Sequence, residues 1–223
     1  MHDYDRSSKW IIQHHGDALL RLAGLAEIRA WRPLQAEVVQ PRQLPDGLLE
    51  VEGLPGEQPD LFLIELATWL EPRLIEQLTR DVLLVFLDRR ILPEAIAFVL
   101  HPGKGRNVQP QRLETSRLQW TRLEIGWRIV PLWTLQADDL FAADDVGMVP
   151  WIPLTQTREP PEAIASRCRD AIDRLAAPDE RANLLAVTAV MARLRYNDPR
   201  FLSILGGSDV MIESVLIQEI VAE

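Results

Sequence analysis

Asp60-Leu-Phe-Leu-Ile-Glu-Leu-Ala67 is an apolar run broken by one interior carboxylate, Glu65. Its length and the turn residues before it predict a strand buried on both faces. A carboxylate in such a strand needs a cation, a metal or a proton to compensate it. Alternate residues of a strand share a face, so the next position on the Glu65 side is Ala67.

Upstream, Leu48–Val51 reads as a second strand, and Gly53, Pro55, Gly56 and Pro59 as the turn between the two. Gln35–Val39 reads as a first strand, followed by a turn at Pro41, Pro45, Asp46 and Gly47. Before it, Ser7 or Ser8 is placed to cap a helix running through Ile11, Ile12, Leu19, Leu20 and Leu22 toward Glu27, with a bend at Gly16.

Downstream, Pro72 suits a first helical turn, and Ile75, Leu78, Val82, Val85 and Phe86 recur at helical spacing to about Asp88. Ala95–Leu100 is another apolar strand. Strand, helix, strand in that order predicts a parallel pair with a right-handed crossover. Leu118–Ile125 and Trp127–Leu135 read as one or two further strands around Gly126.

After Asp138 the texture changes. Phe141–Leu154 reads as loop, followed by helices at Pro161–Leu175, Asp179–Arg195 and from about Ser208. Leu184, Leu185, Val187, Met191 and Leu194 are expected to pack against Val215, Leu216 and Ile220 of the last helix. The expectation is an α/β core over residues 1–140 and a helical region over 141–223. The ending Ile220-Val-Ala-Glu223, without capping glycine or polar tail, reads as that of a truncated chain.

The bulk composition sets outer limits. The 223 residues carry 47% hydrophobic and 26% charged residues, an ordinary globular balance. A net charge of −9 argues against binding that relies on unspecific phosphate attraction. Lys9 and Lys104 are the only lysines, and arginine is a poor proton donor or acceptor. A single cysteine, Cys168, excludes an intrachain disulfide and a cysteine zinc cluster. The N-terminus lacks the apolar stretch of a signal peptide, and no segment reads as membrane-spanning. The expectation is a cytoplasmic protein without a membrane partner.

Asp46 and Glu65 fall where neighbouring strands of a meander would bring both carboxylates to one point. Paired carboxylates are hard oxygen ligands for magnesium or manganese, which polarise a phosphodiester and acidify bound water. The plain alternative is a turn-capping Asp46 and a Glu65 paired with an arginine. Asp60 abuts the same strand and is a third candidate ligand, or a turn residue after Pro59. Glu50 and Asp17 are weaker candidates. Gln77, on the following helix, is placed to orient a metal-bound water or a phosphate, or is simply a half-buried helix residue.

Adjacent His14 and His15 diverge on a helix and do not chelate. Lys104 between glycines lacks the spacing of a phosphate-binding loop. Trp120, Trp127 and Trp133 offer stacking surfaces, although their strand spacing fits core packing.

Asp46-Gly-Leu-Leu-Glu-Val, then Asp60-Leu-Phe-Leu-Ile-Glu65, then a long helix and an apolar strand, resemble the PD-(D/E)XK nuclease-like fold, a central mixed sheet flanked by helices. More narrowly, the chain is similar to the recombination-promoting nucleases (Rpn or YhgA-like) and related transposase-like proteins. Gly147-Met-Val-Pro-Trp-Ile-Pro-Leu154 and Asp179-Glu-Arg-Ala-Asn-Leu-Leu-Ala186 resemble the segments that follow the core in that group. The resemblance implies Mg2+- or Mn2+-dependent cleavage of DNA. Asp46 and Glu65 would be the metal ligands, and Ala67 would occupy the usual lysine or glutamine position. Gln77 or Lys9 would be a migrated substitute. A catalytically inactive descendant, acting as a protein or nucleic-acid interaction module, is the alternative. The apolar C-terminal helices leave room for a homo-oligomer.

Overall fold

The structure, a computed structural model, describes residues 3–25, 27–34, 45–53, 59–103, 109–116, 119, 121–198 and 200–206. The chain divides into two compact units, Leu20–Pro131 and the combination of Met1–Leu19 with Leu132–Glu223. The division therefore does not fall at residue 140, and most of the first helix groups with the C-terminal region.

The first unit is built on a mixed sheet. Its strands are β1 (Ala30–Pro33), β2 (Gly47–Glu52), β3 (Asp60–Ala67) and β4 (Glu94–Val99), with helix α2 (Pro72–Arg89) between β3 and β4. Strands β5 (Gln111–Thr115) and β6 (Arg122–Gly126) form a separate antiparallel hairpin, and β7 (Arg128–Pro131) returns to the sheet. The sheet order is β1-β2-β3-β4-β7. β1–β2 and β2–β3 are antiparallel, while β3–β4 and β4–β7 are parallel. The central strands are the continuous apolar runs, and the outer ones are short and more exposed, as edges tend to be.

Helix α2 starts on Pro72 and ends where Arg90 turns left-handed (φ 59°), its N–H bonded to the Phe86 carbonyl. Leu74, Leu78, Val82 and Val85 form its buried stripe and pack with Leu61, Leu63, Ala95 and Ala97. These strand residues share the pleat face of Glu65, so Glu65 points to the α2 side of the sheet. On the opposite face, Phe62 and Ile96 line a cavity of about 420 Å3 with Leu20 and Ala23, at the end of the first helix.

One expectation is corrected here, and three others fall outside the described residues. The predicted strand Gln35–Val39 lies outside the described residues, and a strand forms earlier, at Ala30–Pro33. Arg32 and Pro33 hide it, because an edge strand needs no apolar alternation. The region after residue 110 makes three short strands and a 3-10 turn, Leu132–Thr134, rather than one or two long strands. Trp120 and Lys104 lie outside the described residues.

In the second unit, α1 (Asp3–Leu22, its last turn in the sheet unit) begins before Ser7 and Ser8. Both serines are buried within the helix, past its start. The helix breaks at His15 (φ −135°, ψ 38°), one residue before the expected bend at Gly16. The stretch expected as loop, Phe141–Leu154, takes in the last two residues of α3 (Ala137–Ala142) and a 3-10 segment, Val146–Leu154, in which every residue from Gly147 to Leu154 is buried. Pro150 and Pro153 explain why it does not become an α-helix. Gly147 opens it with its N–H bonded to Asp145 Oδ1 at 2.9 Å. A Cβ on Gly147 would lie 2.6 Å from the His15 Cβ and 2.9 Å from the Ala18 Cβ, so only glycine lets this segment pass helix α1.

Around this segment pack α4 (Pro161–Leu175) and α5 (Arg181–Tyr196), with the short α6 (Arg200–Ile204) against α4. Leu184, Leu185, Val187 and Met191 are buried as expected, and Leu194 is half-buried. Their partners are the 146–154 segment and α4. The proposed partners Val215, Leu216 and Ile220 lie outside the described residues. Cys168 is fully buried, and burial pushes its thiol far above the usual range. It is therefore not a reactive thiolate.

Candidate functional site

The antiparallel register pairs Gly47 with Ile64, and one step further along it sets Asp46 across from Glu65. Asp46 is anchored there: its Oδ2 accepts the Leu66 backbone N–H at 2.8 Å. Glu65 is 1% exposed. Beside it in β4 stands Ala97, whose small side chain leaves room at that point of the face. The short, turn-rich β2–β3 connection thus brings both predicted carboxylates together, on the side covered by α2.

Helix α2 completes the cluster. Gln77 and Asp81 are one turn apart and share a face. Gln77 Nε2 donates to Glu65 Oε2 at 2.6 Å. Asp81, also 1% exposed, lies within hydrogen-bonding reach of Glu65 and accepts from Arg80 Nε at 2.8 Å and from an Arg80 terminal nitrogen at 3.3 Å. The cluster therefore contains three carboxyl groups, one amide and one guanidinium.

Its electrostatics centre on Glu65. Burial, then the negative charge of Asp46, then a hydrogen bond and the charge from Asp81 hold the Glu65 carboxyl well above its ordinary value of 4.5. Glu65 Oε1 is buried and receives no hydrogen bond. The two observations agree. Its carboxylate neighbours offer acceptors only, so a proton on Oε1 turns the atom without a donor into a donor. A cation would do the same work without the proton.

The other predicted residues stand elsewhere. Asp60 lies five residues from Glu65, an odd offset, and so on the opposite pleat face roughly 16 Å along β3. It is not a member of the cluster, and its proposed role as a metal ligand is corrected on that ground. Glu50 is paired across the β1–β2 ladder with Arg32, whose Nε donates to Glu50 Oε1 at 2.6 Å. Asp17 and Lys9 belong to the other unit. His14 and His15 diverge: His14 Nδ1 sits 2.8 Å from the Trp10 carbonyl, and His15 Nε2 is 3.7 Å from Glu180. Trp127 packs in the core under α2, and Trp133 is half-buried.

Sequence reasoning missed Asp81 and Arg80. A signal was present, because Asp81 sits between Leu78 and Val85, inside the apolar stripe of α2. A charged residue in that stripe is as informative as one inside a buried strand.

No protein-family model, no curated protein and no solved structure matches this chain. The functional reading therefore rests on the cluster itself. Among the described residues no three His, Cys, Asp or Glu side chains form a finished metal site. The fit to a metal lies in the donor chemistry. Asp46 and Glu65 face one another with hard oxygens, and the open valence of Glu65 Oε1 is what a hard divalent cation satisfies. Magnesium and manganese suit such donors, and neither needs a full protein cage.

Proposed function

We propose that the sheet unit is a PD-(D/E)XK nuclease-like core acting as a metal-dependent DNA endonuclease of the recombination-promoting type. The observation that carries this reading is the meeting of Asp46 and Glu65 under Gln77 on one face of a mixed sheet. The order of three antiparallel strands, a helix and a parallel strand supports it further. Asp46 and Glu65 would hold Mg2+ or Mn2+, which when bound polarises the phosphodiester and lowers the pKa of water.

In the hydrolysis, a water oxygen bonds to phosphorus while the bond from phosphorus to the leaving sugar oxygen breaks. The water gives up a proton and the leaving alkoxide gains one. Gln77, fixed by its bond to Glu65, keeps that carboxylate in one orientation. Asp46, fixed by the Leu66 N–H, keeps the second oxygen donor facing it. Ala67 contributes no donor, which limits the transition-state stabilisation available.

A second reading is a catalytically inactive module that binds protein or nucleic acid through the same fold. Ala67 favours it, because the position can neither donate a hydrogen bond nor carry charge. Plasmid nicking separates the two. Under the nuclease reading, wild type nicks slowly with Mn2+, more slowly with Mg2+, and not with EDTA, and Glu65→Ala removes the activity. Wild-type nicking that survives Glu65→Ala places the active site elsewhere. No nicking and no Mn2+ binding by wild type favours the module.

A further inference from the structure

We propose that the cavity on the sheet face opposite Glu65 binds a small zwitterion with an apolar side chain, the chemistry of a free α-amino acid such as leucine. The inference is independent of the nuclease reading. The cavity measures about 420 Å3, within the range of roughly 300–1,000 Å3 usual for small-molecule sites. Leu20, Ala23, Leu25, Phe62, Ile96 and Trp127 give it apolar walls, and Glu94 and Arg128 are the charged residues lining it.

The strand register explains why one acid and one base meet there. Glu94 opens β4 and pairs with Phe62 of β3, while Arg128 opens β7 and pairs with Ile96 of β4. Paired residues share a face, as do alternate residues of one strand, so Phe62, Glu94, Ile96 and Arg128 stand on the same side. Glu94 and Arg128 are one strand and two residues apart, which sets their Cα atoms roughly 8 Å from one another. Both are exposed, and neither side chain forms an ion pair or a hydrogen bond with another described residue. The Arg128 guanidinium reaches to Gly24, just past the end of the first helix: a Cβ built on Gly24 would lie 3.4 Å from both of its terminal nitrogens. That turn also supplies Ala23 and Leu25 to the cavity wall, so the guanidinium sits beside the apolar space.

The unpaired charges select the ligand class. The planar fork of arginine matches a carboxylate with two parallel hydrogen bonds, and a glutamate carboxylate accepts from an ammonium. A ligand with only a carboxylate would leave Glu94 beside an anion, and one with only an amine would leave Arg128 beside a cation. A zwitterion satisfies both at once, while its apolar side chain occupies the space between Phe62, Ile96 and the helix end.

Calorimetry on the full chain tests the proposal with three probes of one shape: L-leucine, isocaproate, which lacks the ammonium, and isopentylamine, which lacks the carboxylate. L-leucine is expected to bind, and each analogue to bind wild type about 10-fold more weakly or worse, the scale for losing a hydrogen bond to a charged group. Arg128→Gln should weaken L-leucine by a similar factor and leave isopentylamine unchanged. Glu94→Gln should weaken L-leucine and leave isocaproate unchanged. The comparison of analogues needs only wild type, so it stands even if a variant is unstable. Failure of L-leucine to bind, or L-leucine binding that neither substitution alters, overturns the proposal. Isocaproate or isopentylamine binding wild type as tightly as L-leucine also overturns it, because only one of the two charges would then be read.

Discussion

Glu65→Gln stabilises the metal-free protein at pH 8 and leaves it no more stable than wild type near pH 4.5. The direction follows from the environment of Glu65. Burial, the charge of Asp46 and the contacts with Asp81 raise its carboxyl pKa above the ordinary 4.5. The folded chain therefore binds the Glu65 proton more tightly than the unfolded chain. That contribution is fully present below the unfolded value, and it is lost as pH rises toward the folded value. Within that window the loss is up to about 1.4 kcal/mol per pH unit. A neutral amide has the same shape, keeps an acceptor for Gln77 and offers donors to Asp46 and Asp81. It therefore removes the slope. Thermal melts in EDTA from pH 4.5 to 8 should show the two curves diverging, with about 2–4 °C between them for each kcal/mol. Adding Mn2+ at pH 8 should raise the Tm of wild type and leave Glu65→Gln unmoved, since binding stabilises only the form that binds. Parallel curves in EDTA would mean that Glu65 is not held neutral by its neighbours.

That expectation grew out of a residue whose importance was visible in the sequence. A carboxylate within Leu61–Leu66 has no ordinary reason to be there, and the structure buries it with three polar neighbours. The strand order from Gly47 to Val99 and the α2 helix were legible for a similar reason: apolar runs bounded by Gly and Pro leave few choices. Asp46 was legible because a short connection fixes which residues face one another.

Other parts were not legible, for physical reasons. Asp60 resembles Glu65 in the sequence, and only the pleat separates them, through an odd offset that puts it on the other face. Asp81 was concealed because helices commonly carry acids, and its burial depends on how α2 rotates against the sheet. Ala30–Pro33 is made a strand by the edge it pairs with, Glu52 to Leu49 of β2, and not by its own pattern. The segment 146–154 reads as loop because two prolines break every period. From Gly147 on it is nevertheless buried, packed against α4 and α5. Ser7 and Ser8 look like caps because serine usually is one, but the helix begins before them.

Under the nuclease reading, Ala67→Lys is expected to raise the rate of DNA cleavage. Position 67 lies on the Glu65 face, two residues on, and is half-buried at the end of β3 beside Val99 of β4. An ammonium there meets a cluster with an excess of carboxyl groups. Its charge favours ionised Glu65, which is the form a divalent cation needs. It also adds a group able to exchange a proton, which Arg80 cannot do. The expected gain is on the order of 10²-fold in single-turnover rate with Mg2+, the usual scale for one positioned acid–base or electrostatic group. The dependence of rate on pH should change as well, with a new limb from the lysine. The matched comparison is wild type, Ala67→Lys and Ala67→Lys with Glu65→Ala. A gain that persists without Glu65 would show that the lysine acts by attracting DNA, not within the site. No gain, in a variant that melts like wild type and binds Mn2+, would mean that position 67 does not face the reacting phosphate.

The central claim is that Asp46 and Glu65 together form a hard-cation site under α2. The measurement that bears on it most directly is anomalous diffraction from crystals soaked in Mn2+ near pH 8. The account predicts a peak between the carboxylates of Asp46 and Glu65, bonded to Glu65 Oε1 and absent in Glu65→Gln. A soaked crystal with no peak there, and with Glu65 still hydrogen-bonded to the Asp46 or Asp81 carboxyl through its own proton, would contradict it.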